Sequence, residues 1–501
     1  MSEPSVPHCS TPPSEACIFT CVLPLQSESG LEYMLENDAL LDLARMYRLF
    51  GRVDGKRKWT LEGSKHTAFP LLDIARESMK ALVTARGSQL VLDPEMAKAP
   101  VEFVKGLLAM RDKYARIVQV AFDRNNMFYR ALKEAFERFI NQDTRCAGYL
   151  SAYLDEMFKR GFKGASEADI DKTLDKVVTI FRYIVDKDIF LSIYRNHLAK
   201  RLLGGKSLSD DAERNMIGKL KIECGSQFAA KLEGMFRDLQ NSKDLVDTYF
   251  SSDRPHGGTL VSPTILTQGH WTPPAYPPCR LPMELQPYAT HFEAFYEAKY
   301  GSRNLIWMTE KGSAEVRFLA GERSHELVVT TYMMCLLLQF NENAELEFGT
   351  LLANTDIPRD EAVRHLLSLT TSKARVLLKS RKGTDIADKD KFKVNSSFKH
   401  KMRRVAVPTI AMKSVAPEGG AHAVPKAVVE DRKHMVDAAI VRVMKTRQEL
   451  SHTDLIAEVT HALRSRFVPK PADIKKRIEN LIERDYLERT EEDRARYRYL
   501  A

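Results

Sequence analysis

Long apolar runs are missing from this sequence, cysteines are few, and neither sign of charge dominates. Nothing approaches the roughly 20 apolar residues that cross a bilayer as a helix. The run from Ile18 to Leu25 is short and no Lys or Arg precedes it, so it is a poor secretory signal. The seven cysteines are Cys9, Cys17, Cys21, Cys146, Cys224, Cys279 and Cys335, and the last four lie far apart with no paired metal-ligand spacing. An odd count without a secretory signal points to reduced thiols in the cytoplasm and nucleus. The Asn395-Ser396-Ser397 sequon then carries no meaning for glycosylation. Lys and Arg number 76 against 67 Asp and Glu, so the net +9 is small beside the total and does not compel a nucleic-acid partner. A glycine-rich phosphate loop, HExxH and GxSxG are all absent, and neither a cofactor nor a metal is expected.

What is present is mainly helical, over a length that suggests about three domains. Residues 1–30 are rich in Ser, Pro and Cys without a steady period and read as disordered. From residue 31 to 142 apolar stripes recur at helical spacing: Leu40, Leu43, Ala44, Tyr47 and Phe50; then Val101, Val104, Leu107, Leu108 and Tyr114; then Phe128, Leu132, Phe136 and Ile140. Such stripes mean helices packed on helices. Helices continue over 143–255, with Leu174, Val177, Val178, Phe181 and Ile184 on one face. Gly204-Gly205 breaks a helix there, and Ser207 to Asp211 caps the next with acids suited to the positive end of its dipole. Lys200 and Arg201 read as a solvated or salt-bridged face, and His197 as a packed or surface histidine.

Strand signals follow at 304–308, 314–319 and 326–330, separated by turn chemistry, and then a first winged-helix-like unit over 331–394. A small meander of this kind leaves unpaired edges open to partner strands. The Pro and Gly of residues 414–426 read as a flexible linker. The terminal module, 427–501, reads as a winged helix: one long helix, a second behind a Ser451–Asp454 capping pair, a third after Pro471, and wing strands at 486–489 and 496–500.

In the first helix of that module, stepping about 100° per residue, Val436, Ile440, Val443 and Met444 share one sector with Ala439 at its edge. Lys445 falls almost opposite, so its amine is predicted to stand in water. On the wheel alone this is an ordinary surface lysine. Its surroundings add more. Asp431-Arg432-Lys433-His434 with Ala438 to Lys445, then Ile474 to Ile478 and the closing Tyr497-Arg498-Tyr499-Leu500-Ala501, strongly resemble the C-terminal signature of cullins. The resemblance extends through Arg45-Met46-Tyr47, the stretch His197 to Gly225 and Gly301 to Trp307, and its wording is nearest the cullin-3 class.

That resemblance implies a last helical cullin repeat over 31–142, a four-helix bundle over 143–255, and a small α/β sheet domain with the first winged-helix-like unit over 256–413. It implies that Lys445 receives a ubiquitin-like modifier through an isopeptide bond (neddylation). It also implies that the sheet takes in a strand from a RING-box protein, with Leu305, Trp307, Val316 and Phe318 as its contacts. On the residues alone, a self-contained sheet is equally plausible. A ubiquitin-conjugating enzyme would reach the scaffold through the RING. The repeats that bind BTB-type adaptors have no counterpart, which suggests either a truncated form, such as a gene model missing its start, or a chain that has lost adaptor binding. The first is favoured because the join near Leu31 is abrupt, and BTB-type adaptors are expected only if a longer form exists. Residues 1–30 do not look cullin-like.

Three functional classes compete. A ligase scaffold performs no bond chemistry and works by proximity. A nucleic-acid binder would place Lys475-Lys476-Arg477 of helix three in a groove, yet residues 427–501 hold 16 basic against 14 acidic residues, too balanced for a dedicated phosphate reader. An enzyme has no recognisable catalytic constellation to stand on. The scaffold reading is the one adopted, with no membrane and no nucleic acid expected as partners.

Overall fold

The computed structural model describes residues 30–56, 71–251, 259–273, 276–320, 323–371, 374–381, 383, 385–410, 426–490, 493 and 495–500. The segments read as disordered (up to residue 29) and as a linker (up to residue 425) lie outside the described residues. The chain forms two compact units, one of residues 1–229 with 419–501 and the other of residues 230–418.

The first unit begins with α1 (Leu31–Glu36), α2 (Leu40–Lys56), α3 (Leu71–Leu92), α4 (Pro94–Lys98), α5 (Pro100–Val120) and α6 (Asn126–Ile140). The α6 stripe is buried along its whole length: Phe128, Leu132, Phe136 and Ile140 all lie in the core, with Phe122 stacked on Phe128 at 4.2 Å. Asn125 caps this helix by accepting from the Met127 amide at 2.9 Å. Gly87 of α3 lets α6 come close: a Cβ there would sit 2.3 Å from the Phe139 ring. The α2 stripe is less complete, because Leu43 and Met46 are buried while Leu40, Ala44, Tyr47 and Phe50 are half-buried.

Next come α7 (Arg145–Glu156), prolonged by one π turn over Met157–Gly161, then α8 (Glu167–Tyr183), α9 (Lys187–Leu203), α10 (Asp210–Cys224) and α11 (Ser226–Phe250). The span read as four helices therefore holds five, and the chain passes into the second unit within the last. The α8 stripe is buried from Leu174 to Ile184. Ser209 caps α10 by accepting from the Ala212 amide at 3.2 Å, with Asp210, Asp211 and Glu213 in the first turn.

Arg201 follows the salt-bridged of the two readings given above, but inside the core and not on a face. It is fully buried, held by Glu213 Oε1 at 2.6 Å and Asp155 Oδ1 at 2.7 Å, between the rings of Phe158 and Tyr194. Burial alone would lower its pKa; the hydrogen bonds and charge of Glu213 outweigh that and raise it. His197 is a packed histidine, its Nδ1 3.0 Å from the Ser151 hydroxyl and its pKa lowered chiefly by burial.

In the second unit, Asp238 of α11 gathers an irregular segment. It accepts from the Thr267 amide at 3.0 Å, the Thr267 hydroxyl at 2.8 Å and the Trp271 indole at 2.8 Å. Then follow α12 (Gln286–Lys299), β1 (Ser313–Ala320), β2 (Arg323–Thr330), α13 (Thr331–Leu338), β3 (Glu345–Glu347), α14 (Phe348–Thr355), α15 (Arg359–Thr371), β4 (Leu377–Lys379), β5 (Lys391–Val394) and β6 (Arg404–Ala406). One sheet has the order β1-β2-β6, antiparallel and then parallel; the other has the order β3-β5-β4. The core between them is built on Leu327, Tyr332, Leu336, Phe348, Leu366 and Phe392.

The terminal module returns to the first unit: α16 (Lys426–Arg447), β7 (Glu449–Ser451), α17 (His452–Leu463), α18 (Pro471–Glu483), β8 (Leu487–Arg489) and β9 (Arg496–Tyr499), with sheet order β7-β9-β8. Its element order repeats that of α13 to β5, so both modules are winged helices. Among the described residues, no helix is long and apolar enough to cross a membrane.

Candidate functional site

Lys445 sits near the end of α16, and one side of that helix is locked. Val436, Ala439, Ile440 and Met444 are buried against Leu455, Val459, Ile474, Ile478 and Tyr497, with Val443 half-buried beside them. Lys445 is exposed, as its place on the wheel predicts. Among the described residues its Nζ has no salt bridge, whereas Arg447 two positions on is held by Glu458 at 3.0 Å. The helix stops just beyond. Gln448 adopts a left-handed φ of 65°, its amide donates to the Met444 carbonyl at 2.7 Å, and its side chain donates to the Lys445 carbonyl at 2.8 Å. The Lys445 backbone is therefore fixed by packing on one side and by a closed C-terminus, while the amine reaches into water. Such an arrangement can present a nucleophile.

The module does not hang free of the first unit. Arg432, three turns before Lys445, donates from Nε to Asp188 Oδ2 at 2.5 Å and from Nη2 to Asp188 Oδ1 and Asp186 Oδ1, each at 2.8 Å. Its guanidinium also lies 4.6 Å from the centre of the Phe467 ring. The Lys187 amide donates to the Arg466 carbonyl at 3.0 Å, and Arg466 Nη2 donates to Gln227 at 2.6 Å. This clasp at the start of α9 was not legible in the sequence, since Asp186 and Asp188 are some 240 positions from Arg432.

The basic trio of α18 is not available as a set. Arg477 is held bidentately by Asp437 through Nε and Nη2, the Nε contact being 2.6 Å, and Arg489 pairs with Glu479. Lys475 and Lys476 remain exposed. Internal neutralisation of this kind leaves little for a phosphate backbone.

The four residues assigned to a RING-box strand do not come together. Residues 304–308 are irregular and not a strand. Trp307 donates to Glu293 at 2.5 Å and packs with Leu305 on the Phe292 and Tyr296 cluster of α12, so the segment lies on a helix. Its apolar pattern was misread as a strand facing a core. Val316 and Phe318 do lie on β1, but they face the sheet's own core, with Phe318 edge-on to Phe398. What β1 leaves open is its backbone edge: among the described residues it pairs only with β2.

Three family models match the chain. A cullin alpha solenoid domain spans residues 15–246, a cullin alpha+beta domain 265–398, and a cullin protein neddylation domain 431–493, which takes in Lys445 and Arg477. The first begins at residue 15, inside the stretch set aside above as unlike the family. Among curated relatives, Cullin-3B of Arabidopsis thaliana is 43% identical over 94% of this chain and 63% of its own length. Cullin-3 of Dictyostelium discoideum is 38% identical over 94% of this chain and 64% of its own. Cullin-4A of Homo sapiens is 37% identical over 99% and 63%. The chain thus spans somewhat less than two thirds of the relatives it matches. With a helical domain, an α/β domain and a terminal winged helix all matched in order, this chain belongs to the cullin family.

Proposed function

We propose that this chain is a scaffold subunit of a cullin-RING ubiquitin ligase, regulated by attachment of a ubiquitin-like modifier to Lys445. The observation that carries the reading is the water-facing amine, unpaired among the described residues, on a helix locked from behind, inside the segment that matches the neddylation domain. The chain itself makes and breaks no bond. An outside enzyme brings the modifier as a thioester; the neutral Lys445 amine attacks its carbonyl, the C–N bond forms, the C–S bond breaks and the thiol leaves. The helix contributes position, which is what an otherwise ordinary lysine needs.

Two further parts complete the scaffold. The free edge of β1 accepts a strand of a RING-box protein by main-chain pairing. Val316 and Phe318 serve by anchoring β1 to its core, and the conjugating enzyme is held through the RING. The clasp of Arg432 on Asp186 and Asp188 keeps the terminal module on the helical unit. Attachment at Lys445 adds bulk and contacts that favour the released arrangement, which is the only way a ligand shifts such a balance. The site of action is the cytoplasm and nucleus.

The test is co-expression of the full chain with a RING-box protein, followed by ubiquitin transfer in a modification-competent extract. The expected result is a stable complex whose output falls in Lys445→Arg. Loss of the RING-box protein on purification would refute the scaffold; equal output would refute the regulation.

A further inference from the structure

Two thiols face each other in the core of the second unit. Cys279 Sγ and Cys335 Sγ lie 3.9 Å apart, 56 positions apart in the chain. Both are buried, but Cys335 is 0% exposed on α13, while Cys279 is 5% exposed in an irregular segment whose Tyr276, Arg280 and Met283 are exposed. That segment is pinned at two points: the Cys279 amide donates to Thr309 Oγ1 at 3.1 Å, and the Arg280 amide donates to the Thr355 carbonyl at 2.9 Å. The backbone that carries Cys279 is therefore fixed by its own bonds, and Cys335 is fixed by its place on a helix. Closing to a disulfide of about 2.05 Å needs side-chain rotation of the kind such a bond requires.

We propose that Cys279 and Cys335 form an oxidisable dithiol that closes to a disulfide when the protein meets a small hydroperoxide. The two sulfurs have different roles. Either sulfur can donate across the 3.9 Å contact; with Cys335 as donor, and with help from Thr309, Cys279 is held below the usual thiol range. The same bond, together with burial, pushes Cys335 well above it. Cys279 is also the one a single residue from solvent, so it is the attacking thiolate. It takes the terminal oxygen of the hydroperoxide and becomes a sulfenic acid, releasing an alcohol or water. Cys335 then attacks the sulfenic sulfur, and water leaves with its proton. In sum two thiols and one hydroperoxide give one disulfide, one alcohol and one water. A thiol reductant reverses the change. The bond would tie the surface segment to α13, which starts at Thr331 directly after β2, and so brace the sheet that carries the β1 edge. Cys146 and Cys224 are free cysteines with no comparable sulfur neighbour among the described residues.

The experiment treats the full reduced chain with hydrogen peroxide, blocks remaining thiols with iodoacetamide in denaturant, and maps the peptides. A Cys279–Cys335 cross-linked peptide, two hydrogens lighter than its parts, is expected, with a thermal transition raised by several degrees and reversed by dithiothreitol. In Cys335→Ser the cross-link is absent and Cys279 is trapped as a sulfenic acid by dimedone. Full alkylation of both cysteines after peroxide would overturn the proposal and leave them as buried apolar side chains. Pairing of Cys279 with any other cysteine in the wild-type chain would overturn it equally.

Discussion

Arg201 shows what one residue can decide. Its guanidinium and the Glu213 carboxylate are both fully removed from water, so neither tolerates the other's loss. Glu213→Ala should destabilise the first unit by about 3–5 kcal/mol, read as a lower midpoint in urea unfolding. Arg201→Met paired with Glu213→Leu should recover most of that loss, because two apolar groups leave no buried charge. His365 makes a second test at this scale. It is buried against Tyr332, its Nδ1 is 3.3 Å from Thr330 Oγ1, and its Nε2 is 3.4 Å from Glu361 Oε2, the oxygen that Arg364 holds at 2.5 Å. Burial, helped by Arg364, pushes its pKa down to about 4. The unfolded histidine binds a proton near pH 6.5 and the folded one does not until about pH 4. The unfolded state therefore gains protons first as pH falls. The stability of the second unit should drop across that window by up to about 3 kcal/mol, and His365→Gln should flatten the profile. Neither role was visible in the sequence, where Arg201 sits among other cations and His365 on an ordinary amphipathic helix. Burial and pairing across distant elements leave no local period.

At the scale of elements, what was legible follows from length. Stripes of four or five apolar residues on α6, α8 and α16 located those helices, and the Ser209 and Ser451 caps located two starts. Three-residue strands such as β3, β4, β6 and β7 gave no alternation to read, and they exist because longer partners pair with them. Residues 304–308 erred in the other direction: Leu305 and Trp307 do point one way, but towards α12. The clasp between α16 and α9 belongs to this scale too. Arg432→Ala should leave the terminal module folded, since its core is its own, while exposing the Lys187 amide now bonded to the Arg466 carbonyl. Hydrogen exchange at Lys187 should speed by roughly 10–100-fold, the equivalent of about 1–3 kcal/mol of coupling. Unchanged exchange would mean that Arg466 and Gln227 hold the module without Arg432.

At the scale of the molecule, the cullin resemblance was carried by short fixed wordings around Lys445 and Gly301–Trp307, and those survive where individual contacts do not. The error over residues 304–308 came from their apolar alternation, which records a sequence and not the surface it packs on. The picture that results is a helical unit bearing a clasped winged helix, and a second unit with a bare strand edge, each described in its own right. In the account proposed, modification of Lys445 controls whether the clasp within the first unit holds. The most direct measurement is peptide mapping of the full chain after reaction with a charged ubiquitin-like modifier and its conjugating enzyme. The account predicts one modifier per chain, joined at Lys445, and none on Lys445→Arg. Equal modification of Lys445→Arg at some other lysine would contradict it.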